Sequence, residues 1–243
     1  MTKTSLVARR LSSNEKVETI ATLSRSIVHE FKNYPAAINI CAELSESKVK
    51  EIKNRVKTAS YLINNLHLQI KGIITNEVES KDFRRYSILK NIIEAIKQYL
   101  FKPGEQKLIT LVSKDKDFEY FGNLILTNHI FYNLIKNSLR AIRNNDSYSN
   151  KKTSNRNKIT IKLELGTKFN KVIFTDTASG IAKEFLPKIF KLFRTKTISQ
   201  GGTGISLAFC TMIMKSYSGD IICNSIEGKC TEFILSFPVL DSQ

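Results

Sequence analysis

Two rhythms of apolar and polar positions divide this chain. Between residues 14 and 75 apolar side chains recur every three or four positions. Val17, Ile20, Leu23, Ile27, Phe31, Ile38 and Leu44 form one run; Val49, Ile52, Val56, Ala59, Ile63, Leu66 and Ile70 form the next. Such spacings gather side chains on one face of a helix, and the second run makes a heptad seam with Lys and Glu between. The pattern predicts two long helices that break near residues 45–47. The first is expected to bend at Pro35, because proline lacks an N–H and crowds the preceding turn. Two helices with one apolar stripe each bury it poorly alone. A second copy would complete a four-helix bundle, so a homodimer is expected; the competing arrangement packs the hairpin on the rest of its own chain.

Beyond residue 80 the period shortens. Ser87 is placed to cap a helix reaching about Leu100. Residues 106–113, 117–121, 158–165, 170–176, 219–224 and 230–237 are expected as strands, and 123–143, 182–192 and 203–217 as helices. Strands and helices mixed without βαβ regularity predict an α+β layered domain. The expected organisation is a helical hairpin over residues 1–80 and a layered domain over 81–243. Asn144 to Lys158 is polar, basic and free of apolar residues, and is expected as a surface loop.

Composition supports a packed protein: 42% of the 243 residues are hydrophobic, enough for a core and against wholesale disorder. No stretch of 18 apolar residues occurs, and Met1 to Arg10 carries basic residues with no apolar stretch behind them. Neither a membrane span nor a secretory signal is expected. Cys41, Cys210, Cys223 and Cys230 show no CxxC spacing. They read as reduced thiols of a cytoplasmic protein, with Cys223 and Cys230 facing each other across strands as the weaker alternative. The net charge of +16 is uneven: residues 81–243 carry 26 Lys+Arg against 14 Asp+Glu, net +12. That excess suits a phosphate ligand. The basic 144–158 stretch offers only Tyr148 for stacking, so nucleic acid is not an expected partner.

Candidate chemistry concentrates in that second part. Asn133 and Asn137 are four apart, hence on one helix face, and an amide oxygen is a sound ligand for Mg²⁺, which keeps waters and bridges phosphates. Arg140, one turn on, would reach a phosphate from the same face. Asp176 ends the apolar strand Lys171–Thr175, and Gly180 closes the turn after it. A carboxylate there can accept from an adenine amino group, and glycine permits close backbone approach. Gly201, Gly202, Thr203 and Gly204 precede an apolar helix, an anion site by geometry and dipole. Lys191, Arg194 and Lys196 just before it would close over phosphates as a lid. Each feature alone is weak; in this order they describe an ATP site.

In that order they resemble the N, G1 and G2 boxes of the histidine-kinase ATPase (Bergerat) fold, an α/β sandwich. Leu186–Phe193 resembles its F box, and Glu227–Pro238 its closing strand, where the resemblance puts Thr231 beside Asp176 at the adenine. Ser26–Asn33 resembles the H box of sensor histidine kinases, carried on the first helix of the heptad pair. The resemblance implies a dimerisation and phosphoacceptor hairpin in which His29 receives the γ-phosphoryl of ATP. It further implies that Glu30 draws off the other imidazole proton and that Asn33 orients water for dephosphorylating a response-regulator receiver domain, the expected partner. Asn137 would hold Mg²⁺; Asn133, Arg140, Gly180, Lys196, Gly202, Thr203 and Gly204 would hold the nucleotide. His67 and His129 are read as ordinary surface residues. Three positions depart from the pattern: Tyr34 before Pro35, Ser206 where glycine is usual, and Cys230 in the closing strand.

A narrower resemblance, through Gly204–Cys210 and Thr231–Pro238, is to α-hydroxyketone quorum-sensing kinases. Those receptors carry membrane helices ahead of the kinase core, absent from this sequence, so a separate membrane sensor partner is left open. Two other readings compete. A dimeric scaffold or phosphatase would use nucleotide only to set its shape. A DNA-repair or chaperone ATPase of the same superfamily would lack a heptad pair bearing His-Glu-x-x-Asn.

Overall fold

The computed structural model describes residues 83–99, 101–148, 158–192, 194 and 204–241. The expected helical hairpin and its bundle lie outside the described residues. Strand β1 (Arg84–Ser87) leads into helix α1 (Ile88–Gln98), then β2 (Ile109–Val112), β3 (Glu119–Gly122), the long helix α2 (Leu124–Tyr148), β4 (Ile159–Glu164) and β5 (Phe169–Asp176). Helix α3 (Ser206–Ser216) and the hairpin β6 (Asp220–Ile226) and β7 (Cys230–Pro238) follow.

Five strands make one sheet in the order β2-β4-β5-β7-β6, and β1 pairs with β3 in a small antiparallel ribbon. Only β2 and β4 run parallel; the other neighbours are antiparallel. Every second residue of the central strands faces the helices: Ile159, Ile161 and Leu163, then Val172 and Phe174, then Phe233, Leu235 and Phe237, all buried. This is the alternation expected of a sheet with one covered face. Helix α2 packs between α1 and α3 and lays Ile130, Leu134, Ile135 and Leu139 into that core. The outcome is a two-layer α/β sandwich.

The starts of α1 and α2 are capped by side chains. Ser87 Oγ accepts from Lys90 N at 3.1 Å and donates to Asp117, whose other oxygen accepts from Leu89 N. Asn123 Oδ1 accepts from the N–H groups of Ile125 and Leu126, satisfying donors that the first turn of α2 leaves open.

Two expectations need correction. Residues 182–192 do not form an α-helix, only a 3₁₀ turn at Leu186–Lys188. Most backbone bonds there step back three residues, from Phe185 to Ala182, Lys188 to Phe185 and Lys191 to Lys188; a single four-residue bond, Leu186 to Ala182, is not continued, since Pro187 has no N–H. Helix α2 runs past residue 143 to Tyr148, taking up part of the segment expected as loop; neither glycine nor proline interrupts it. The reading of Cys223 and Cys230 as free thiols holds: Cys223 pairs in register with Phe233, and Cys230 with Ile226. The two thiols are not opposite each other, and both are free.

Candidate functional site

Strand β5 delivers Asp176 to the edge of the helical layer. Its carboxylate is 3% exposed and is held from two sides. The Ser138 hydroxyl, on α2, donates to Oδ2 at 2.6 Å, and the Ala178 N–H donates to Oδ1 at 3.1 Å. Burial pushes its pKa above the usual carboxylate range, while the two donors pull it back. A buried carboxylate held only by neutral donors is costly to keep. Its lone pairs remain suited to a further N–H donor. Register places Asp176 opposite Thr231 on β7, and Thr231 is also buried.

The turn after Asp176 is fastened to the β6–β7 hairpin. Ile181 N donates to Ser225 Oγ at 2.8 Å, and Gly228 N to Ser179 O at 2.7 Å. Gly180 has φ +63°, and a Cβ there would run into the Ile226 carbonyl. Both the left-handed backbone and the close approach require glycine at this position. The Ser225 hydroxyl also donates to Cys230 O at 2.6 Å, bracing the hairpin that the turn is fastened to.

Helix α2 carries Asn133, Asn137 and Arg140. Asn137 and Arg140 are half-buried, and burial lowers the Arg140 pKa from its usual value. Asn137 stands next to Ser138, the partner of Asp176, so the two sequence signals meet through one covalent neighbour. Asn133 is buried, its amide nitrogen 2.6 Å from His129 Nε2 and 3.8 Å from Cys210 Sγ on α3. His129 is therefore not a surface residue: it is 2% exposed, with Phe209 edge-on to its ring at 5.4 Å. Burial, with Lys136 nearby, lowers its pKa to about 3, so the ring is neutral at physiological pH. Burial pushes the Cys210 thiol up to about 12, leaving it protonated and inert.

Gly204, at φ +67°, leads through Ile205 into α3. Ser206 is the first residue of that helix. His29, Glu30, Asn33, Lys196, Gly202 and Thr203 lie outside the described residues. The structure thus brings together Ser138, Asp176 and Thr231 through a hydrogen bond and the β5–β7 register, and joins Asn133 to α3 through Cys210.

Sequence reasoning missed Ser138, His129 and Ser225. Ser138 carried no spacing signal: five residues from Asn133 is not a same-face interval, and its partner Asp176 lies 38 residues away in sequence. His129 is four residues before Asn133, the spacing that places two side chains on one face.

The donor set suits a nucleotide better than a protein-held metal. Among the described residues no group of three or more His, Cys, Asp or Glu converges. What the chain supplies is amide and carboxylate oxygens, beside a helix start that favours anions.

Comparison with known proteins agrees with this geometry. Residues 122–241 match the family model described as histidine kinase-, DNA gyrase B-, and HSP90-like ATPase. Over 96% of its length the chain is 26% identical to the CAI-1 autoinducer sensor kinase/phosphatase CqsS of Vibrio cholerae, covering 35% of that protein. It is 29% identical to the autoinducer 1 sensor kinase/phosphatase LuxN of Vibrio campbellii, again over 96% of the chain and 28% of the relative. The chain therefore spans about a third of the length of these relatives. The catalytic domain of histidine kinase ThkA superposes with a TM-score of 0.50 at 22% identity, covering 65% of this chain and 95% of that one; this likeness concerns the fold. Residues 122–241 belong to the histidine kinase-, DNA gyrase B-, and HSP90-like ATPase family, set in the catalytic core of a sensor histidine kinase.

Proposed function

We propose that the chain is an ATP-dependent protein-histidine kinase that phosphorylates itself on His29 and passes the phosphoryl group to an aspartate of a response-regulator receiver domain. A phosphatase activity toward the same regulator is part of the proposal, since both relatives above are named kinase/phosphatases. The observation that carries the reading is the buried Asp176 carboxylate, tied to the asparagine-bearing helix by Ser138 and facing Thr231 across the strands.

In this reading Asp176 accepts the adenine amino N–H, with Thr231 beside it. The Gly180 turn lets the base approach the backbone. Asn137 would hold Mg²⁺ through its amide oxygen, a ligand type that this hard cation accepts. Asn133, Arg140, Lys196, Gly202, Thr203 and Gly204 orient the phosphates. Bound Mg²⁺·ATP supplies the phosphoryl group and the charge neutralisation that its transfer needs. Glu30 takes a proton from the His29 ring, which leaves the other nitrogen nucleophilic. Asn33, four residues on, holds water for the reverse, dephosphorylating role. Residues 1–80 form the dimerisation hairpin and 81–243 the ATP-binding domain. The matches to CqsS and LuxN cover 96% of the chain and so extend well ahead of residue 122, which supports assigning the hairpin to the same core. The proposed setting is cytoplasmic, as a homodimer. No described helix is long and apolar enough to cross a membrane.

Incubation with γ-labelled ATP tests the proposal. The expected result is an acid-labile, base-stable label that disappears in His29→Gln and in Asn137→Asp. Label surviving His29→Gln would refute the phosphoacceptor; nucleotide binding without any label would favour a non-catalytic dimeric scaffold.

A further inference from the structure

Asn133 does more inside the protein than present a polar face. Its side-chain nitrogen lies 2.6 Å from His129 Nε2 and donates to Cys210 Sγ at 3.8 Å, and the imidazole tautomer sets which way the first contact runs. We propose that His129 is a positioning residue: its Nε2 lone pair accepts an Asn133 amide hydrogen and thereby presents Asn133 Oδ1 to the phosphate end of the nucleotide. The inference rests on the ATP reading above.

Two geometric observations and the charge state of the ring support it. His129, Asn133 and Asn137 follow at intervals of four on α2, so they share one face, and a contact at the first link sets the side chain at the second. The imidazole cannot swing freely, because Phe209 stands edge-on against it with planes at 79° and the ring is almost fully buried. The ring is also kept neutral, so one nitrogen always offers a lone pair. With Nδ1 carrying the proton, Nε2 accepts and the amide nitrogen must face it. In the other tautomer Nε2 donates, the amide turns over, and Oδ1 is consumed inside the protein. The tautomer therefore decides which Asn133 atom reaches the ligand.

Two measurements on the full chain test this. In a long-range ¹H–¹⁵N spectrum of the ¹⁵N-histidine protein, the His129 Nε2 resonance should have the shift of a non-protonated imidazole nitrogen. A protonated Nε2 overturns the inference whether or not nucleotide binds. Calorimetric titration then compares the parent with His129→Gln, which keeps an acceptor, and His129→Leu, which fills the space without one. Mg²⁺·ATP should bind His129→Leu about tenfold more weakly and His129→Gln within about threefold of the parent. Adenosine, which lacks the phosphate end, should bind all three alike. Equal weakening of adenosine and ATP, or a Gln variant as weak as Leu, overturns the positioning role. Failure of the parent itself to bind ATP strikes the ATP reading, and is distinguishable because it does not depend on residue 129.

Discussion

At the scale of single residues, the site trades stability for an acceptor. Asp176 is buried with a pKa above its ordinary value, so charging it costs the folded state. The native carboxyl holds its proton to higher pH than the unfolded one does. Its contribution to stability is therefore greatest below the ordinary value and is lost as pH rises through the raised one. Asp176→Asn removes that cost and keeps the shape. The expected outcome is a melting temperature at pH 7–8 no lower than the parent's, an advantage that shrinks as pH falls toward 4, and ATP affinity reduced tenfold or more. A variant that melts lower at neutral pH and binds ATP normally would contradict the role. Gly180→Ala should be worse on both counts. Its positive φ alone costs about 1–2 kcal/mol for an L side chain, and the added methyl meets the Ile226 carbonyl. Unfolding midpoints and ATP titration of that variant check it. Asp176 and Gly180 were legible because a carboxylate and a glycine bracket the end of an apolar strand. Ser138 was not, because a serine on a helix announces nothing until its neighbour across the fold is known; His129 offered only its four-residue spacing to Asn133.

At the scale of elements, alternation and capping residues carried most of the information. Ser87 starts α1 as its position foretold, and strands β4, β5, β6 and β7 fall within two residues of the expected ranges. The segment 182–192 misled because its apolar spacing is helical, whereas most of its hydrogen bonds close three-residue turns around Pro187. Long-range polar contacts were invisible. Tyr217, after α3, donates to Asn123 O at 3.0 Å and accepts from Asn123 N, with Thr127 Oγ1 at 3.1 Å. Tyr120 donates to Asn91, which donates in turn to Asn128. These contacts tie α1, β3, α2 and α3 into one unit, and burial pushes the Tyr217 hydroxyl up to about 12. Tyr217→Phe strands the Asn123 N–H, while the Thr127 hydroxyl keeps the Asn123 carbonyl, so we expect a loss of about 1–3 kcal/mol, read as a lower unfolding midpoint in urea. An unchanged midpoint would show that water replaces the hydroxyl without cost.

A second tie joins the far end of α2 to the turn before β2. Arg143 donates through Nε and Nη2 to the two Glu105 oxygens at 2.6 and 2.8 Å. Burial would raise the Glu105 pKa, but the Arg143 fork and the Lys102 N–H overcome it and lower the pKa below the ordinary 4.5. This contribution is present above 4.5 and lost as pH falls through the lowered value, opposite in sign to that of Asp176. Glu105→Gln should cost about 1 kcal/mol at pH 7, a modest figure because Arg143 is partly exposed, and the difference from the parent should vanish in acid.

At the scale of the molecule, the layered domain and its family were written in the order of the boxes rather than in any one of them. The hairpin proposed for residues 1–80 follows from heptad spacing, which encodes helix and seam without specifying the partner that covers the seam. All of it depends on the base being chosen by Asp176. Titration of the whole chain with Mg²⁺·ATP and, separately, Mg²⁺·GTP tests that most directly, since guanine sets a carbonyl oxygen where adenine sets an amino group. The account predicts saturable heat with ATP and binding at least tenfold weaker with GTP. Equal affinity for the two, or no heat with ATP, would contradict it.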